Sequence, residues 1–201
     1  MAIEASLKTE KDGKKNQRIY HLTILLYIVG TVLCGIVRYI QTRSVVSVLI
    51  VAASFLYLLI MPVVFWLFRI KPGYLLAALL DIFIFLAFTL GTAMRWYTVF
   101  QWYDLFAHCL SGVLFTLFGM CAYHLLHRDR GRTLGEEPWV CVGFSFCFSM
   151  MIAGMWEIIE YTLFLITGYD SQNVAATGVG DTMEDMMICL LGTVITCVLL
   201  A

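Results

Sequence analysis

Three short segments place carboxylates at helical spacing inside apolar sequence, and one of them adds a histidine. Asp104 and His108 stand four apart in QWYDLFAHCLSG, Glu157 and Glu160 three apart in GMWEIIEYTLFLITG, and Asp181 and Asp185 four apart in TGVGDTMEDMMICLLG. Residues three or four apart share one face of a helix, so each segment presents a polar pair to one side. Five carboxylates with one imidazole, and no Lys or Arg on the same faces, cannot all ionise together in a low dielectric. Either several are protonated or a divalent cation neutralises them, and carboxylate oxygens with one histidine suit Zn, Mn, Fe or Mg better than a soft metal. Such an ion would polarise a phosphoryl or carbonyl oxygen, or activate water. The expected ligands are Asp104, His108, Glu157, Asp181 and Asp185, with Glu160 left over as the general base.

The elements that carry these residues follow from composition. The 201-residue chain is 61% hydrophobic and 13% charged, with a mean hydropathy of +0.87. A soluble domain is about 45–50% apolar and about 25% charged. That contrast excludes a soluble globule, a disordered chain and a nucleic-acid binder built on basic patches. Apolar runs at about 20–37, 45–68, 74–94, 102–126, 139–167 and 181–200 are each long enough to cross a bilayer as a helix. None alternates as a barrel strand would. The fold class is therefore all-α, a polytopic membrane helix bundle of about six transmembrane helices. Residues 1–19 form a basic, unstructured cytoplasmic tail ahead of a six-span domain over 20–201. No A-x-A-like cleavage site closes the first run, so it reads as an uncleaved signal-anchor.

Orientation follows from Lys and Arg. With the N-terminus inside, the inner face holds Lys8, Lys11, Lys14, Lys15, Arg18, Arg69, Lys71, Arg128, Arg130 and Arg132. The outer face holds Arg38, Arg43 and Arg95. Ten against three puts both termini in the cytoplasm of a cell with this protein in its plasma (inner) membrane. Asp104 and His108 then lie in the outer half of the fourth span. Glu157 and Glu160 lie roughly 10–15 Å below the outer end of the fifth, at about 1.5 Å per residue. Asp181 and Asp185 occupy the first two turns of the sixth. Small residues continue each face: Ser111, Gly112 and Gly119 on the fourth span, Ser149 and Ala153 on the fifth, Cys189, Gly192 and Thr196 on the sixth. Closely packed membrane helices use such stripes, so the three faces are expected to meet in one pocket.

Each of these residues also has an ordinary account. Asp104 fits an interfacial helix cap, and Asp181 an N-cap with Glu184 completing a capping box. Glu157 and Glu160 fit a hydrogen-bonded network tying spans together. Asp170 and Asn173 lie in the loop before the sixth span. Asp81, in the inner half of the third span, is expected to pair with Arg69 or Lys71. The acids of the tail and of the loop around Asp129, Glu136 and Glu137 are solvated. Seven cysteines, none in a CxxC pair, read as buried free thiols. Pro62 marks a kink, and Pro72 and Pro138 mark helix starts.

The order W-Y-D-x-x-x-H, W-E-x-x-E-Y and G-x-G-D-T-M-x-D-M resembles the YjdF-like family of bacterial multi-pass inner-membrane proteins. The resemblance runs from about Tyr20 to Leu200 and rests on Asp104 and His108, Glu157 and Glu160, and Asp181, Thr182 and Asp185. A looser similarity reaches the VanZ-like membrane proteins, whose last motif position is Asn where this chain has Asp185. The resemblance implies a polytopic bacterial membrane protein and no established activity. The last apolar run is still unfinished at Ala201, as in a chain that continues. Three functions remain open at this point: metal-dependent chemistry on a lipid or envelope substrate, a proton- or cation-coupled transporter, and a non-catalytic membrane protein whose acids hold the bundle together. Membrane lipids are partners in each, and nucleic acid in none.

Overall fold

A computed structural model describes residues 2–69, 73–127 and 138–200, the side chains of 2–11 and 127 excepted. Lys71, Pro72, Arg128, Asp129, Arg130, Arg132, Glu136 and Glu137 lie outside the described residues. Among the described residues every regular element is a helix. Six helices are long and apolar enough to cross a membrane: Asp12–Thr42, Val45–Phe68, Tyr74–Ala93, Tyr103–Leu126, Pro138–Thr167 and Gly180–Leu200. The reason is physical: in hydrocarbon each backbone N–H and C=O must find a partner within its own segment, and helices provide it. The chain divides after Gln101 into two compact units.

The first unit opens with α1, Ala2–Thr42. It corrects the expected unstructured tail, because the helix of the first span runs on through it. Extension from an existing helix avoids the cost of nucleation, and the tail's Lys, Glu, Ala and Gln are good helix formers. The second span is broken. It comprises α2, Val45–Ala53, a 3₁₀ stretch over Ser54–Leu59, and α3, Ile60–Phe68. The expected kink thus sits one turn ahead of Pro62, where the ring crowds the carbonyl four residues back. There the Tyr27 hydroxyl, on α1, donates to the Ser54 carbonyl at 2.8 Å. The third span is α4, Tyr74–Ile84, continued by a π-helical stretch over Phe85–Ala93. The short α5, Trp96–Val99, follows. Arg43, Arg69 and Arg95, with φ of 52°, 52° and 65°, end the three spans in the left-handed conformation. This is the usual conformation just past a helix C-terminus, and a cation there complements the helix dipole.

Asp81, 1% exposed, forms no ion pair among the described residues, and Lys71, one of its two expected partners, lies outside them. The Asp81 Oδ2 is buried without a hydrogen-bond partner, among the Tyr20 and Tyr27 side chains. Arg69, the other expected partner, is the left-handed cap of α3, its main-chain N–H donating to the Phe65 carbonyl.

The second unit packs three long helices against one another: α6, Tyr103–His127, α7, Pro138–Thr167, and, after the short α8 at Val174–Thr177, α9, Gly180–Leu200. Pro138 starts α7, at the position where its missing N–H costs nothing. The small-residue stripes set the helix approach. A Cβ on Gly112 would run into the Cys189 carbonyl, and one on Gly192 into the Cys109 carbonyl, so α6 and α9 touch backbone to backbone. A Cβ on Gly119 would come within 2.8 Å of Ser145 Cα on α7. At the crossing, the Gly112 carbonyl accepts from Thr116 at 2.7 Å, Ser149 at 3.1 Å and Thr193 at 3.5 Å, gathering hydroxyls from all three helices. All seven cysteines are free thiols, but only Cys189 and Cys197 are buried, while Cys121 and Cys147 face outward.

Candidate functional site

One turn beyond the Gly112 crossing the three helices open onto a polar cluster. Asp104 lies in the first turn of α6, and His108 one turn further along the same face. Asp104 Oδ1 and His108 Nε2 are 3.6 Å apart. From α9, Asp185 Oδ2 comes within 3.7 Å of the same Nε2. The His108 side chain is 12% exposed and that of Asp185 6%, whereas Asp104 keeps 36%. One ligand atom from each of the three lies within 4.8 Å of the other two.

These spacings are informative. A ring N–H can direct one hydrogen bond to one acceptor, yet two carboxylates face the same Nε2, both beyond hydrogen-bond length. Two ligands bound at about 2.1 Å and set about 110° apart stand roughly 3.4 Å from each other. The observed 3.6 and 3.7 Å are close to that spacing. A small divalent ion is thus sterically compatible with the space between the three atoms. Ser111, one turn beyond His108, donates from its hydroxyl to the His108 carbonyl at 2.7 Å. It also lies 3.7 Å from the Cys189 thiol, so the histidine's stretch of α6 is tied toward α9.

The other expected residues surround this trio without joining it. Asp185 is within electrostatic range of Asp104, Asp181, Glu157 and Glu160. Glu157, 6% exposed, has Oε2 occupied: Gln172 Nε2 donates to it at 2.9 Å and to the Glu157 main-chain carbonyl at 2.9 Å. Asp181 Oδ2 accepts from Asn173 Nδ2 at 3.2 Å. It lies in the first turn of α9 rather than at its cap, because the helix starts at Gly180. Glu160 is half-buried with the Trp156 indole, one turn earlier, as its hydrogen-bond donor. Asp170 is an ordinary capping residue, accepting from the N–H groups of Val174 at 2.9 Å and Ala175 at 3.0 Å as α8 begins. Glu184 is exposed.

Gln172 carries no signal in the sequence. A glutamine in a polar loop looks solvated, and one of its two acceptors is a main-chain carbonyl 15 residues earlier. In the structure it is 4% exposed and ties the α7–α9 connection to Glu157. Left-handed Asn173, φ 49°, and Gly178, φ 65°, turn that connection back toward α9.

The fold and the cluster define a polytopic helical membrane protein with an acidic and histidine-containing site at one end of a three-helix unit. The chain belongs to the family described as "Predicted membrane protein (DUF2238)", whose sequence profile matches residues 19–201. No curated protein and no solved structure gives a significant match.

Proposed function

We propose that Asp104, His108 and Asp185 bind a divalent metal ion and that this ion serves chemistry on a lipid or envelope substrate. The observation that carries the reading is the approach of two carboxylates, from two helices, to one imidazole nitrogen at 3.6 and 3.7 Å. Zn, Mn, Fe or Mg is the cofactor class that three such donors suit. Glu157 and Asp181, engaged by Gln172 and Asn173, form an outer ring that adds negative charge around the trio. Glu160, near the trio and not part of it, is the general base for a metal-bound water or a substrate hydroxyl. The metal would supply Lewis acidity or an activated water.

The membrane in this reading is the plasma (inner) membrane of a bacterium, with both termini cytoplasmic and the site opening outward. The basic residues favour that orientation, and the motif-level likeness to YjdF-like proteins, with the looser one to VanZ-like proteins, agrees with it. The site lies within about 15 Å of the ends of its helices, where lipid head groups and envelope intermediates reach. That position supports a substrate from those classes. The competing reading, a structural acid network, draws on the paired bonds from Gln172 to Glu157.

Metal analysis of protein purified without chelator tests the proposal. Wild type is expected to hold close to one equivalent. His108→Ala and Asp185→Asn should lose most of it while eluting as the same monodisperse species, and Glu160→Gln should keep it. Equal, substoichiometric metal in wild type and both ligand variants would leave the structural network as the better account.

A further inference from the structure

The first unit carries a second feature unrelated to the acidic cluster. Between α1 and α2 runs a groove of about 530 Å³, lined by Thr31, Gly35 and Tyr39 on one side and Val48, Ala52 and Phe55 on the other. Its wall is apolar, and its size is that of a small-molecule site. It runs between two membrane-spanning helices up to the turn that joins them, so that end lies at the bilayer surface.

That end is cationic. Arg38 follows Gly35 by three residues and Thr31 by seven, on the same face of α1. Its Nε is buried and has no hydrogen-bond partner. Arg43 occupies the turn in the left-handed conformation, φ 52°, and its guanidinium stands over the ring of groove-lining Tyr39 at 6.0 Å. Neither arginine forms an ion pair among the described residues. The N-terminus of α2, capped by Ser44, opens beside them and adds the positive end of a helix dipole. An apolar trough with two guanidinium groups at its surface end complements a molecule that is anionic at the head and hydrocarbon below.

We propose that this groove binds one anionic phospholipid, with an acyl chain lying between α1 and α2 and the phosphate held by Arg38 and Arg43. Gly35 keeps the trough open: a Cβ there meets only Val48 Cγ1, at 3.9 Å, which is ordinary contact. A larger side chain at 35 would therefore project into the space the lipid takes.

Native mass spectrometry of the full chain, titrated with phosphatidylglycerol or with phosphatidylcholine of the same acyl chains, tests the proposal, with inorganic phosphate as a third arm. Wild type should retain phosphatidylglycerol at least tenfold more tightly than phosphatidylcholine and show no retained phosphate. Each arginine near a membrane surface is worth about fivefold in attraction for an anionic lipid. Arg38→Gln with Arg43→Gln should accordingly lower phosphatidylglycerol affinity about 25-fold and leave phosphatidylcholine unchanged. Gly35→Leu should lose the bound lipid with both arginines intact. Equal retention of the two lipids by wild type would overturn the proposal. So would a lipid preference that survives in either variant.

Discussion

The paired bonds from Gln172 make a quantitative prediction. Replacing Gln172 with Leu keeps its size and removes both donors from a site 4% exposed. A hydrogen bond to a charged acceptor contributes about 1.5–3 kcal/mol and one to a neutral carbonyl about 0.5–1.5 kcal/mol. The Glu157 carbonyl sits within a helix and retains its second lone pair, so its loss belongs at the low end. The expected destabilisation is about 2–4 kcal/mol. The decisive measurement is a double-mutant cycle with Glu157→Leu, read by equilibrium unfolding in mixed micelles. The main-chain bond survives Glu157→Leu, so the coupling should report the side-chain bond alone, at about 1.5–3 kcal/mol. Additivity within about 0.5 kcal/mol would refute the reasoning, because it would mean that Gln172 and the Glu157 carboxylate do not meet.

The glycines sort by what a Cβ would touch. Gly112→Ala and Gly192→Ala put a methyl against a main-chain carbonyl of the facing helix, and should sharply reduce the yield of folded protein on size exclusion. Gly143→Ala and Gly154→Ala, with nothing within 4 Å, should be neutral or stabilise by up to about 1 kcal/mol through helix propensity. Asp81→Asn should leave unfolding in mixed micelles unchanged or shift it toward greater stability, because no cation is paired with that carboxylate among the described residues and Asn avoids burying a charge. Single-cysteine reporters placed at Arg95 and at Arg130, in a chain otherwise free of cysteine, should be labelled by an impermeant maleimide from opposite sides of the membrane.

Much of the fold was legible because the bilayer restricts the choices. An apolar run of about 20 residues has one way to satisfy its backbone there. The expected limits of the spans accordingly fall within a residue or two of the helices at all but the first, whose helix runs on into the tail. Details within spans were less legible. Pro62 announced its kink, but the π-helical stretch at Phe85–Ala93 has no residue signature. The surroundings of Asp81 were not legible either: its depth suggested a basic partner at the surface, but only helix packing shows that it is buried beside Tyr20 and Tyr27.

The same division holds at the site. The sequence alone determined that Asp104 and His108 share a face and that Asp181 and Asp185 share another, because the 3.6-residue helical repeat leaves no alternative. It also determined that small residues continue both faces. Which acid would approach the imidazole was decided only by tertiary structure. Spacing sets a residue's angle on its own helix, not the rotation of one helix against the next. Gly112 and Gly192 settle that rotation by allowing backbone contact, and the resulting alignment brings Asp185 to His108. Glu157 and Asp181 are meanwhile held by Gln172 and Asn173, two loop amides whose partners only the folded chain brings within reach.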